Sequence, residues 1–264
     1  MARGAARLRL AAAALLLAGC TELGSDPQAA VAIEIEGLPV PSVVVGDTLR
    51  DSTGAIATPS ARAINVNNDV IAGAPIRFLA LDTGIVDVDS ITGVIVGKRV
   101  GTTPVLASIQ GLQSERITVV VTLRPDTAYG LDSLQRTMQF SLTSPTAASS
   151  GPLRVFVGHD TTIAGVDTAV AVASYLVRYR IVFPSDDSVS DTDTTKVVLA
   201  NDLGRPSTVD TTDAGGIASR AVRISTAVST IPDSVIVDAY VSYPDTTSVP
   251  GAPVRFVIRI LGVP

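Results

Sequence analysis

The chain predicts an all-β fold, two β-sandwiches in tandem behind an N-terminal leader, on three observations. Beyond the leader no stretch sustains the 3.6-residue apolar period of an amphipathic helix. Short runs of Val, Ile, Thr and Phe alternate with polar residues instead, and Gly, Pro, Asn and Asp punctuate them at regular spacing. Asp-Thr pairs at 47, 82, 126, 160, 167, 191, 193, 210 and 245 fall mostly between such runs. An aspartate there caps its own turn by accepting from the backbone two residues on.

The leader occupies residues 1–19. Arg3, Arg7 and Arg9 precede an apolar run from Leu10 to Leu17, which Leu17-Ala18-Gly19-Cys20 closes. A basic segment, a short apolar segment and small residues at a cut are the parts of an export signal. The run is too short to cross ~30 Å of hydrocarbon, which takes ~20 residues. Ending on the chain's one cysteine, it resembles the lipobox of bacterial lipoproteins. That resemblance implies a diacylglyceryl thioether on Cys20, cleavage before it, and a new N-terminus carrying fatty acyl chains such as palmitate. Thr21, not aspartate, follows, which in the same family implies sorting to the outer membrane and leaves the leaflet open. Each buried CH₂ contributes about 0.8 kcal/mol, so several chains anchor where one is marginal. Residues 20–30, with Gly24, Ser25, Asp26 and Pro27, read as the lipidated terminus and a short polar tether.

The first unit spans residues 31–123. Val31–Ile35 and Val43–Val45 open it as strands, and Ala61–Val66 leads to a turn at Asn67-Asn68-Asp69. Ala74–Leu81 is expected as a core strand with Ile76 and Phe78 on one face and Arg77 on the other. Ile85–Asp89 and Gly93–Val96 flank a turn at Ser90-Ile91-Thr92-Gly93, and Val105–Ile109 and Arg116–Val121 close the unit. Val45-Gly46-Asp47-Thr48, Ile71 to Phe78, Ile85-Val86-Asp87-Val88 with Thr92-Gly93, and Gly101-Thr102 before Val105-Leu106-Ala107 resemble the bacterial immunoglobulin-like domains of group 2. Phe78 stands where that family commonly has tryptophan, and the segment Asp51–Ser60 is longer than usual.

Arg124-Pro125-Asp126 marks the junction, since proline ends strands and forces an extended link. The second unit, residues 124–264, offers strands at Gln135–Leu142, Leu153–Val157, Ala169–Phe183, Thr195–Ala200, Gly216–Ile224, Ser234–Tyr243 and Val254–Ile260. Thr212-Asp213-Ala214-Gly215-Gly216-Ile217-Ala218 resembles the signature of the group 1, invasin-like, bacterial immunoglobulin-like domains. The rest of the unit follows that family only as a strand pattern.

Composition narrows the chemistry. The formal charge is −5 at pH 7, and removal of three leader arginines makes the body more acidic still. Nucleic-acid binding needs clustered Lys and Arg and is not expected. Cys20 is the single cysteine, so the body folds without a disulfide. One histidine excludes multi-histidine metal centres. His159 follows the run Leu153–Val157 at an expected strand end, with no Gly-x-Ser-x-Gly elbow anywhere, so it reads as a solvated turn residue. The chain is not expected to be an enzyme.

Two constellations remain. Strict alternation puts Arg178 and Arg180 on one face of Leu176–Phe183, Asp238 and Tyr240 on one face of Val235–Val241, and Arg255 and Arg259 on one face of Val254–Ile260. In an immunoglobulin-like sandwich these segments are neighbouring strands C, F and G, so the six side chains share an outer face. As a charge ladder that face keeps the sheet soluble; as a binding face it suits an anionic glycan or a partner protein. The second constellation is the acidic loop from Ser185 to Asp193. Asp186, Asp187, Asp191 and Asp193 supply oxygens of the kind calcium takes, yet the loop lacks the glycine and terminal glutamate of known calcium loops and reads first as a solvated hairpin tip. No cofactor beyond the lipid is expected. The expected role is structural or adhesive: a lipid-anchored envelope protein facing an envelope protein or glycan. The alternatives are a carbohydrate-binding surface module, disfavoured by scarce aromatics and absent tryptophan, and an aspartate-based hydrolase.

Overall fold

The computed structural model describes residues 29–263, except 52, 142–147, 226–229 and 244–245. Cys20, the leader and Asp245 lie outside the described residues. Among the described residues every helix or strand is a strand.

The first sandwich uses β1 (Ala32–Ile35), β2 (Val43–Val44), β3 (Ala61–Ile64), β4 (Arg77–Ala80), β5 (Val86–Val88), β6 (Ile95–Gly97), β7 (Gly101–Ile109), β8 (Leu112–Gln113) and β9 (Ile117–Thr122). One sheet has the order β2-β9-β7-β4, with β8 on β7; the facing layer is two separate pairs, β1–β3 and β5–β6. Valine and isoleucine at alternate positions fill the gap, so Val86, Ile95, Val105 and Val119 are fully buried. Phe78 closes the other end against Ile33, Ala63, Ala107 and Ile109. Its ring lies under Gly93, where an added Cβ would stand 3.0 Å away and φ is +72°. The Thr92-Gly93 turn is therefore glycine both for its backbone and for the space the ring takes.

The second sandwich uses β10 (Thr127–Gly130), β11 (Gln135–Ser141), β12 (Leu153–Ile163), β13 (Val166–Ala171), β14 (Leu176–Phe183), β15 (Val197–Ala200), β16 (Val209–Thr211), β17 (Ile217–Ile224), β18 (Ser234–Tyr240) and β19 (Val254–Val263). Its sheets run β10-β12-β17-β15, with β13 on β12, and β11-β19-β18-β14-β16. Tyr179, Phe256, Met138, Leu153, Leu199 and Ile258 fill the space between them.

The two sandwiches repeat one topology. In each, a strand early in the unit lies parallel to the last one, β2 on β9 and β11 on β19. The sheet then continues antiparallel through β7 and β4, or β18 and β14. These are the G, F and C strands of an immunoglobulin-like sandwich, and β10-β12-β17-β15 is its A-B-E-D sheet. The described residues are all-β, built into immunoglobulin-like sandwiches.

Several expected boundaries move. Leu153–Val157 extends to Ile163 and folds back on β13 through Ala164-Gly165, both at positive φ. The long run Ala169–Phe183 breaks into β13 and β14 at Ser174, whose φ is 59°. Asp160, Asp167 and Asp210 consequently sit inside strands, not in turns. Strands β8 and β16 carry one apolar residue each and β10 two adjacent ones, so alternation does not mark them.

The sandwiches meet over a packed seam. Val44, from the first, is buried within the core of the second. Ser42 Oγ donates to the Ser174 carbonyl at 2.6 Å, and Thr122 Oγ1 to the Ala173 carbonyl at 3.0 Å. The Arg124 guanidinium lies 4.4 Å from the Tyr243 ring centre, a cation–π contact across the junction.

Candidate functional site

Strands β14, β18 and β19 are adjacent, so the six outer-face residues are brought onto one sheet. Register places Arg178 opposite Tyr240, and Arg180, Asp238 and Arg255 in one row across three strands. Arg259 stands apart, opposite Ser234 on one side and Thr137 on the other. The face is not evenly exposed. Asp238 is only 2% exposed, because Arg255 closes over it with a two-pronged fork at 2.8 and 2.7 Å. The hydrogen bonds and charge of Asp238 raise the Arg255 pKa above the usual guanidinium value. Arg255 is thus neutralised, whereas Arg178, Arg180 and Arg259 have no ion-pair partner among the described residues. Asp238 is the structural centre of the row rather than an open contact.

The acidic loop lies beside Arg180, and the two border one hollow with Asp186 and Asp191. Its carboxylates do not converge. Asp186 accepts from the Ser188 amide at 2.9 Å and from the Ser188 hydroxyl. Asp193 accepts from the Thr195 amide and hydroxyl at 2.9 and 2.8 Å. These hydrogen bonds hold both pKa values below the usual aspartate range. Asp191 instead accepts from the Ile181 amide at 2.9 Å, tying the loop to β14, and Asp187 is exposed. Among the described residues no group of three or more His, Cys, Asp or Glu side chains is placed to hold a metal ion.

His159 lies in the middle of β12 rather than at its end. Its Nδ1 sits 2.8 Å from the Asp126 carboxylate and 2.9 Å from the Arg124 carbonyl. It is therefore a fastener of the junction segment, not a free turn residue.

Two features escaped the sequence reading. The first is Arg220, which faces inward from β17 in step with Ala218, Val222 and Ile224 and is 7% exposed. It pairs at 3.0 Å with Asp210 on the opposite sheet, and donates to the Ser219 carbonyl and Ser207 hydroxyl. Nearby Tyr179 is fully buried, with its hydroxyl donating to the Leu153 carbonyl at 3.2 Å; burial raises its pKa well above the ordinary tyrosine value. Alternation through Gly216–Ile224 carried the signal for Arg220. The second is a cleft of about 180 Å³ at the seam, lined from both sandwiches. Tyr175, Tyr240 and Tyr243, three of the chain's five tyrosines, border it. No local pattern announces it, since its walls lie more than a hundred residues apart.

No family model matches the chain, and no curated protein does. Among solved structures, domains 4 and 5 of the S-layer protein SbsC align at 12% identity over 88% of this chain and 98% of that one, with a TM-score of 0.30. The Yersinia pseudotuberculosis adhesin InvE aligns at 16% identity over 87% of this chain and 58% of its own length, with a TM-score of 0.32. The D00-D0 domain of intimin aligns at 12% identity over 86% and 96%, with a TM-score of 0.25. Superpositions this loose carry no argument; the immunoglobulin-like assignment rests on the strand orders and on the parallel pairing of an early strand with the last strand of each sandwich.

Proposed function

We propose that the chain is an exported, lipid-anchored protein of the cell envelope, held on the outer membrane through Cys20, with a structural or adhesive role. The observation that carries this reading is the run Leu17-Ala18-Gly19-Cys20 behind a basic and apolar leader, ahead of a polar tether and a rigid pair of sandwiches. The acyl chains supply membrane affinity, and the tether sets the body off the bilayer. Cross-strand ladders and a packed seam make that body a stiff spacer, able to present a face to an envelope protein or a glycan. The uncompensated Arg178 and Arg180 suit that face to a negatively charged partner.

The deciding experiment expresses the full chain in a didermal bacterium fed an alkyne-tagged palmitate. The wild-type chain should carry the tag and sediment with outer membranes. Cys20→Ser should lose the tag and leave the membrane fraction. Tag-free wild-type protein, or Cys20→Ser protein retained on the membrane, would overturn the anchor.

A further inference from the structure

We propose that the cleft at the seam binds an acidic saccharide unit, a sugar ring bearing a carboxylate. The proposal stands on the cleft alone, whether or not Cys20 is acylated. Ligand sites are concave, mostly apolar, carry a few convergent polar groups and favour domain interfaces. This cleft meets each condition. Val40, Pro41 and Leu176 give it apolar walls, and its polar groups converge from both sandwiches.

The charge within it is uneven. Arg50 is engaged by Asp47 at 3.4 Å and by the Gly54 carbonyl at 2.9 Å. Asp51 caps its own turn, accepting from the amide and hydroxyl of Thr53 at 2.7 and 2.6 Å, which lowers its pKa. Arg178 is the charged lining residue with no hydrogen bond or ion pair among the described residues. A planar guanidinium in that state suits a carboxylate, to which it donates two parallel hydrogen bonds.

The remaining groups favour a sugar over a bare anion. The Tyr240 hydroxyl has only a 3.5 Å contact with Asp238, and the Thr48 hydroxyl has no partner among the described residues. Both stand ready to exchange hydrogen bonds with ring hydroxyls. The walls are also fixed in advance. Tyr175 donates its hydroxyl to the Ser242 carbonyl at 2.8 Å, and Tyr243 is held by Arg124. Preorganisation of this kind lowers the ordering cost of binding. A peptide fits less well against the second sandwich, because it would add to a free strand edge. Around the cleft β14 has none: Leu176 and Arg178 pair with β16 on one side, and Arg178 pairs with β18 on the other.

The test exploits the absence of tryptophan, which leaves tyrosine as the emitter. The full chain in detergent micelles is titrated with methyl β-glucuronide, methyl β-glucoside, acetate and acetyl-tetraalanine while tyrosine fluorescence is followed. The glucuronide should give a saturable change. The neutral glucoside, and Arg178→Gln titrated with the glucuronide, should bind about tenfold more weakly or worse, the loss of a charge-assisted pair. Tyr240→Phe should also weaken binding, while Arg116→Gln, at an exposed position away from the cleft, leaves it unchanged. Matching thermal melts show that the variants fold. No saturable signal, a glucuronide affinity untouched in both Arg178→Gln and Tyr240→Phe, acetate binding as tightly as the glucuronide, or the peptide binding more tightly than either would each overturn the proposal.

Discussion

Asp132 shows how one carboxylate organises a corner of the second sandwich. It sits in the turn between β10 and β11 and accepts from Arg154 Nε and Nη2 at 2.7 and 2.6 Å, and from Arg136 Nη2 at 3.1 Å. Arg154 belongs to one sheet and Arg136 to the other, so a single residue links the two layers. The Arg154 hydrogen bond, reinforced by the charges of both arginines, holds the Asp132 pKa below the usual aspartate range. Asp51, Asp89, Asp186 and Asp193 are lowered as well, each by hydrogen bonds from its own turn. A carboxyl with a depressed folded-state pKa stabilises the fold above its unfolded value, about 3.9. That stability is lost as pH falls through the folded value. The chain should therefore hold a level urea midpoint near neutrality and lose it below about pH 4. Asp132→Asn should lower the midpoint at pH 7 and flatten the acid limb, because one of the groups that must be protonated is gone. An acid limb as steep in the variant as in the wild type would show that Asp132 contributes nothing to it.

At the scale of elements, alternation told most of the story and failed where a strand is short or a charge sits on the wrong side. The runs around Phe78, Val105, Val237 and Phe256 became inward-facing strands because alternate residues there are mostly apolar. β8 and β16 hold two and three residues with one apolar side chain each, which gives a period of two nothing to repeat. The outer-face grouping of Arg178, Arg180, Tyr240, Arg255 and Arg259 was legible, since face follows from parity once C, F and G are neighbours. The burial of Asp238 was not, because parity says nothing of what a neighbouring Arg255 covers. Arg220 is the opposite case: it keeps step with the inward Ala218, Val222 and Ile224, a signal the sequence reading passed over, and its partner Asp210 comes from another strand, so the pair emerges only in three dimensions. A buried ion pair adds little over a well-packed apolar pair, but breaking it leaves a stranded charge. Arg220→Leu should cost about 3 kcal/mol, and Arg220→Leu with Asp210→Leu should recover most of it. Urea unfolding of the single and double variants checks this. A double variant as unstable as Arg220→Leu alone would mean that packing of the arginine stem, or the hydrogen bond Asp210 accepts from the Ser219 amide at 2.7 Å, outweighs the pairing.

The whole molecule is defined by its seam. Arg124-Pro125-Asp126 reads in sequence as the boundary and extended link between two units, since proline interrupts two strand-rich stretches. In the fold that segment is fastened: His159 grips Asp126 and the Arg124 carbonyl, and Arg124 covers Tyr243. Val44 goes further, since a residue of β2 in the first sandwich is counted among the core of the second. The cleft and the stiffness both depend on this interlock, which no linear pattern encodes because Ser42 meets Ser174 across 132 residues. Shared core residues couple the stabilities of the two bodies, so unfolding one exposes apolar surface of the other. The full chain should accordingly melt in one calorimetric transition. Val44→Asp places an unpaired carboxylate at the buried seam, at a cost of several kcal/mol. It should divide the melt into two transitions, with the second sandwich unfolding at the lower temperature. Val31→Asp, at a position 48% exposed, is the matched control and should leave a single transition. Two transitions in the wild type would show that the seam joins the sandwiches without coupling them. The cleft between them would then open and close with their relative motion, and its tyrosine walls would not be set before a ligand arrives.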